Sequence, residues 1–314
     1  MQTYRFTLQP LTAFGTHLVG DTLFGQLCWT LRHLYGESRL DALLTGYTAG
    51  TPFMVVSDAF PKGYIPLPSL PSRCWLTGAG NDRKTLKKKR WLALTNITKP
   101  TAQWQQLAEL EQSLPGFTTT LTQMHNTINR QTGTTGTGQF APFSTQQRWY
   151  ATDALLDVYV VLNESLLSLD ELARALDVIG KTGYGRDAST GLGKFNLHTA
   201  MNEPVAEKVA FDAPRTAKHW LTLAPSAPQG LAFDAQQSYY QVQTRFGRHG
   251  DAAALSTNPY KRPILMARTA AVFCTPDQQP RQFIGQGIAH VSHIDERAVH
   301  QGYAPVVPLT ISHC

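Results

Sequence analysis

The chain has 314 residues, a length that points to about two domains, and its 42% hydrophobic against 16% charged residues exclude wholesale disorder. Lys and Arg outnumber Asp and Glu by 28 to 22, and six of those cations fall within residues 83–90, so the excess is one local patch suited to phosphates or an acidic surface. Four widely spaced cysteines without a C-x-x-C pair exclude a zinc knuckle and a redox motif. With no run of about 18 apolar residues and no basic leader, neither a membrane span nor a secretory signal is expected, and a reducing cytoplasm is the expected compartment.

Residues 2–9 alternate, with Tyr4, Phe6 and Leu8 on one side and Thr3, Arg5 and Thr7 on the other, which predicts a half-buried first strand. A loop with Phe14, Gly15 and His17 follows. Asp21 then stands at an N-cap position before Leu23, Leu27, Leu31 and Leu34, and Gly36 closes this amphipathic helix. A shorter helical stretch at 40–44 leads to PFMVVSDAFP, a buried strand ended by proline. Residues 61–71 read as loop. Helical propensity returns across the basic run and over 101–114, where Trp104, Leu107, Ala108 and Leu110 share a face, so about 61–117 is expected as a helical insertion.

Alternating β-branched residues over 118–129, the stretch QTGTTGTGQ and the run FAPFSTQQRWY predict a long hairpin at about 118–150 with a mobile tip. ALLDVYVVL reads as a core strand, and Ser168 with Glu171 forms the capping box of a helix bearing Leu169, Leu172, Leu176 and Ile179. A glycine-rich loop and a last strand, KFNLH, follow. Strand, helix, strand, insertion, strand, helix, strand is the split βαβ of a ferredoxin-like unit, so the class is α+β with residues 1–205 as its first domain. WLTLAP, YYQVQTRF, ILMARTAAVF and YAPVVPLTI predict a β-rich second domain at 206–314, with the polar stretch 248–263 a mobile connection within it.

The segment GKTGYGRDASTGLGKF gathers Gly180, Gly183, Gly185, Gly191 and Gly193 with Lys181, Arg186 and Lys194, concentrating backbone amides and cations where phosphate is the expected guest. It is no Walker loop, because Phe195 follows Lys194. It is no dinucleotide fingerprint either, because it leads from helix into strand and offers a phosphate the wrong end of the helix dipole. The run RKTLKKKR, with Lys87, Lys88 and Lys89, is a solvated helix face, a protein-docking patch or an RNA contact. The neighbouring Trp75 and Trp91 are stacking surfaces in the last case and core otherwise. MHNTINRQTG brings His125, Asn126, Asn129, Arg130 and Thr132 to the hairpin, mixing side chains that suit base edges and phosphates.

Catalytic signals are sparse. His17 is the one candidate, a general base for cleaving RNA through its own 2′-hydroxyl. His290 and His293, with Asp295 and Glu296 nearby, lack a completing carboxylate cluster, and Asp21 with Asp58 are taken by a cap and a turn, so neither metal nor cofactor is expected.

Taken in order, GDTLFGQLCW, SDAFP, HNTINRQTG, GYGRDASTGLGKF, KRPILM and QGYAPVVPL resemble the RAMP subunit of type III-A CRISPR (Csm) complexes that caps the 5′ handle of the guide RNA, over residues 3 to about 309. The resemblance implies tandem ferredoxin-like (RAMP/RRM-like) domains in a noncatalytic crRNA-binding subunit. Its partners would be a large polymerase/cyclase-like subunit and a backbone RAMP subunit, with target RNA met only indirectly. Carried over by motif, Gly183, Tyr184, Gly185, Arg186, Gly191, Gly193 and Lys194 would line the handle and His125, Asn126, Asn129 and Arg130 would lie near it. The tip at 133–138 would reach the first guide bases, while GDTLFGQLCW would be architectural with Asp21 as its cap.

Overall fold

In the computed structural model, which describes residues 1–76, 82–114, 118–199, 205–211, 217–277 and 279–311, the first alternating segment forms β1 (Gln2–Pro10). Residues 200–204, where the first domain is expected to end, and Cys314 lie outside the described residues. Helix α1 (Gly20–Tyr35) buries Leu23, Phe24, Leu27 and Leu31 and ends at Gly36, whose φ of 92° lets its N–H turn back to the Arg32 carbonyl. Then come α2 (Glu37–Leu44), β2 (Met54–Pro61) and β3 (Tyr64–Pro66). This last is a short strand within the predicted loop.

Two predicted helical stretches shrink to single turns. In the basic run only α3 (Arg83–Leu86) is α-helical, opened by Asp82, whose side chain accepts the Lys84 N–H at 3.0 Å. The chain leaves instead into β4 (Trp91–Ala93), which pairs with β3. In 101–114 the α-helical part is α4 (Trp104–Leu107), with 3-10 turns at Thr101–Gln103 and Glu111–Ser113, and the Glu109 backbone between them pairs with Trp91.

The hairpin forms as predicted from β5 (Thr118–His125) and β6 (Phe143–Tyr150), in register from Thr118 opposite Tyr150 to His125 opposite Phe143. Strand β7 (Leu156–Leu162) is buried at every position, and α5 spans Leu169–Thr182 and buries Leu172, Leu176 and Ile179. Its capping box is present, with Glu171 N–H donating to Ser168 Oγ and Ser168 N–H to the Glu171 carboxylate. Strands β8 (Phe195–Leu197) and β9 (Glu207–Lys208) follow, then β10 (His219–Thr222), β11 (Val242–Arg245), β12 (Ile264–Ala267), β13 (Val272–Cys274), β14 (Phe283–Ile288) and β15 (His300–Leu309).

The first sheet has the order β2-β7-β1-β8 with every pairing antiparallel and β9 added beside β1, so the first and third strands of the split βαβ lie at its centre. Helices α1 and α5 cover one face over a core of Phe6, Leu8, Leu27, Val158, Val160 and Leu176. On the other face Tyr159 meets Phe60, Leu92 and Trp104, and also Leu221, Val272 and Val307 of a second sheet ordered β13-β10-β15-β14. That explains why β7 shows no alternation. Among the described residues of 217–311 there is no α-helix, only a 3-10 turn at Asp251–Leu255.

A bulge in β2 joins the halves. The register against β7 shifts between Val56 and Ala59, where Ser57 Oγ accepts the Tyr159 N–H at 2.8 Å and the Asp58 N–H turns to the Leu223 carbonyl at 2.8 Å. The Gln301 amide of β15 completes the seam, accepting from Val56 N–H and donating to Val56 O, each at 2.8 Å.

Asp21 is not the N-cap. Val19 holds that position, and Asp21 is the second helical residue, within the first turn, as a fully buried carboxylate. Arg245 of β11 grips it with Nε and Nη2 at 2.6 Å each, and His300 Nε2 sits 3.1 Å away. Burial alone would raise its pKa, but His300 and Arg245 override this and hold Asp21 far below the usual carboxylate range. The residue that reads as a helix cap is thus a charged rivet between the two halves.

Candidate nucleic-acid interface

Five glycines within fourteen residues suggest a loose amide-rich turn, but glycine also permits close backbone approach, and here the second use dominates. A Cβ on Gly193 would lie 2.2 Å from the Tyr184 carbonyl oxygen, and one on Gly183 would lie 2.5 Å from that of Leu192. The two ends of the loop are zipped together: Tyr184 N–H donates to Gly193 O at 3.0 Å, and Gly193 N–H donates onward to Ala13 O at 2.7 Å.

Most of the loop's other amides are committed as well. Gly183 N–H caps α5 at Ile179 O (2.7 Å), Gly185 N–H reaches Gln26 Oε1 (3.2 Å), Arg186 N–H reaches Thr16 Oγ1 (3.1 Å), Gly191 N–H reaches Ala188 O (3.0 Å) and Lys194 N–H reaches Thr12 Oγ1 (2.9 Å). Gln26 threads the loop from α1, also donating to Gly183 O at 2.7 Å. The expected cradle of phosphate-binding amides is therefore corrected: these donors already serve the protein, and a buried donor that gave up its partner would lose a hydrogen bond for each one gained.

Tyr184 is corrected too. Its ring is fully buried, its hydroxyl donates to His17 O at 2.8 Å and accepts the Val19 N–H at 3.1 Å, so it offers no face to a base. It pins the loop 11–19 to the end of α5.

The side chains that face outward are cationic. Arg186 is exposed, with its guanidinium 3.2 Å from Asp187 and donating at 2.8 Å to Gln146 O in β6. It links the glycine loop to the hairpin. Lys194 is half-buried at the loop's exit. Arg148, which sequence reasoning missed, pairs with Glu111 at 3.3 Å, while its backbone exchanges hydrogen bonds with Phe14 at 2.8 and 2.9 Å. Alternation in FSTQQRWY gave the one available signal, since it places Gln146 and Arg148 on the same face. His17 lies at the edge of this cluster, where partial desolvation and the Arg148 guanidinium lower its pKa.

His125 lies three rungs beyond Gln146, about 10 Å at ordinary strand rise. It stacks on Phe143 at 5.0 Å and hydrogen-bonds Thr145 Oγ1 at 3.0 Å. Asn126 and Arg130 are exposed, whereas the Asn129 side chain accepts the Gln131 N–H at 2.9 Å to shape the turn. Leu121, Met124, Ile128, Phe143 and Trp149 are all exposed on or near the hairpin. An apolar, aromatic arm thus projects beside an arginine cluster, a combination suited to unpaired bases and their phosphates.

The basic run sits elsewhere, on the insertion that covers the opposite face of the first sheet. Lys87 and Lys88 are exposed, but Lys89 donates to Gln106 O at 2.5 Å and its pKa is lowered by desolvation, so it is a structural lysine and not a contact residue. Trp75 and Trp91 belong to the core cluster beneath it. Among the described residues no group of His, Cys, Asp and Glu is placed to hold a metal ion, and no helix is long and apolar enough to cross a membrane.

No protein-family model matches the sequence, and no curated protein matches it. Solved structures do. One is a chain of the crystal structure of a Csm1-Csm4 cassette in complex with pppApA, with TM-score 0.58 and 15% identity over 99% of this chain and 98% of that one. The same cassette in complex with cA4 gives TM-score 0.57 and 14% identity over 99% and 98%. A chain of the Csm3-Csm4 subcomplex in the type III-A CRISPR-Cas interference complex gives TM-score 0.59 and 13% identity over 99% and 100%. Csm4 is the component common to these assemblies, and the chain shares the fold of the matched chains over 99% of its length.

Proposed function

We propose that the chain is a noncatalytic guide-RNA-binding subunit of a type III-A CRISPR effector, a tandem RAMP protein with one unit to about residue 205 and a second beyond it. It grips the repeat-derived 5′ handle and joins the large polymerase-like subunit to a backbone RAMP subunit in the cytoplasm. The observation that carries the reading is the bridge from Arg186 to Gln146 O, which sets an exposed arginine beside Arg148 at the base of the aromatic hairpin, in a fold shared with these complexes. In this form of the proposal the handle's phosphates meet Arg186 and Lys194, its bases meet the hairpin near His125, Asn126 and Arg130, and the glycine loop holds those groups in place.

The test is co-expression with the large and backbone subunits and a repeat-spacer RNA. The expected result is a complex that retains guide RNA and loses about a hundredfold in guide affinity, about tenfold for each cation, when Arg186 and Lys194 are replaced by alanine, with a shallower salt dependence. Unchanged guide retention overturns it. The place of His17 in the loop that Tyr184 pins, beside Arg148, supports a second reading, metal-independent cleavage of repeat RNA. Cleavage in EDTA that disappears in His17→Ala would establish that reading, and an intact repeat would exclude it.

A further inference from the structure

Beyond the hairpin surface, a second place has the chemistry of an RNA contact. Strands β11 and β12 form a two-stranded ribbon whose inward face is fixed by the ion pair of Arg245 with Asp21. Outward, Val242, Phe246 and Leu265 are exposed, the last two 71% and 58%. Pairing continues past the ribbon, with Lys261 N–H donating to Gly247 O at 2.8 Å and Arg248 bridged to Tyr260. This brings exposed Arg248, Phe246 and Tyr260 together at its end.

Beside the ribbon an open groove of about 380 Å³ runs between β12 and the end of β14. Arg262, His290, Gln229 and Gln286 supply its polar groups, Ile264 and Leu265 part of its apolar wall, and no carboxylate lines it among the described residues. None of those four polar side chains hydrogen-bonds within the described protein, so their donors and acceptors converge on the groove uncommitted. Arg262 is held by its own N–H on Val291 O at 2.8 Å, and His290 stands in the left-handed region at φ 57°, a strained conformation for a residue with a side chain.

We propose that this groove binds an unpaired nucleotide of a single RNA strand whose neighbours cross the ribbon. A cation and an imidazole suit a phosphate, two free amides suit base edges of either donor pattern, and an aliphatic wall with Phe246 and Tyr260 beyond it suits the flat base faces. The groove's volume is in the range of small-ligand sites. Charge complementarity selects RNA over an anion-rich protein surface, because the amides and aromatic rings add contacts that a carboxylate cluster would leave unused.

The test uses the full chain and a short fluorescent oligouridylate, read by anisotropy across a salt series. The combined Arg262→Ala and His290→Ala variant is expected to bind about tenfold more weakly with a shallower salt slope, because phosphate contacts release counterions. Photocrosslinking of the unmodified protein to a 4-thiouridine strand is expected to label peptides carrying Phe246, Tyr260 or His290. Unchanged affinity in the double variant overturns the proposal, as do crosslinks confined to residues 118–194. So does a variant that keeps its RNA affinity but loses a protein subunit, which would assign the groove to protein docking. Arg186→Ala measured on the handle RNA separates the two sites: a loss there with a silent groove variant removes only this inference, and the reverse removes only the handle reading.

Discussion

The glycine loop after α5 and the glycine-rich tip of the hairpin look alike in sequence and differ in almost every physical respect. In the loop, a side chain on Gly193 would strike the Tyr184 backbone, whereas around Gly133 and Gly138 at the tip nothing lies within 4 Å. The loop's amides are spent on Ala13, Thr12, Thr16 and Gln26, while the tip's N–H groups turn back within the tip itself, Gly133 to Asn129 and Gly136 to Phe140. Composition reports that a chain can bend. Whether the bend serves tight packing or reach depends on what stands opposite.

The largest expected effect is therefore Gly193→Ala, where backbone overlap adds to a φ of 74°. A loss of about 3 kcal/mol or more in urea unfolding is expected, and a near-neutral result would mean that the loop yields readily.

The second prediction concerns the start of α1, where Asp58 accepts from Gly20 N–H at 2.8 Å and from Thr269 Oγ1 at 2.5 Å. Burial pushes its pKa up to about 7, against which those hydrogen bonds act. Because the folded value exceeds the unfolded one, the folded state holds this proton more tightly, and stability falls as pH rises between about 4 and 7. Relative to Asp58→Asn, which cannot titrate, the natural chain should lose up to about 1.4 kcal/mol per pH unit in that window. Parallel stability curves for the two would remove Asp58 as the source.

Next in size is Arg186→Ala. Guide binding should weaken about tenfold, or about 1.4 kcal/mol, while thermal stability changes little because the residue is exposed. Gly133→Ala should cost only about 1 kcal/mol, the ordinary penalty of a left-handed alanine with space around it. Replacing Lys87 and Lys88 should alter stability by less than about 0.5 kcal/mol, whereas Lys89→Ala removes the hydrogen bond to Gln106 O and should cost more.

Strand alternation in β1, the heptad-like stripe of α1, the capping box at Ser168 and the hairpin were legible because each is local, carried by residues a few positions apart. The insertion was not, since its single-turn helices depend on Trp91 meeting Glu109 from eighteen positions away. Asp21 was misread for the same reason. An acidic residue beside the first turn fits a cap by every local rule, and its partners Arg245 and His300 lie more than two hundred positions downstream. At the candidate site, Arg186 and its neighbours were visible as residue types. The bond to Gln146, the burial of Tyr184 and the role of Gln26 required the fold.

Hydrogen exchange at residues 183–194, followed in the protein with and without guide RNA, tests most directly whether this loop is a brace that aims its cations outward. The amides of Tyr184, Gly185, Arg186 and Gly193 are expected to exchange slowly before any RNA is present and to change little when the guide binds. Fast exchange in the free protein, with protection appearing only on guide binding, would contradict the account and return the phosphate contacts to the backbone.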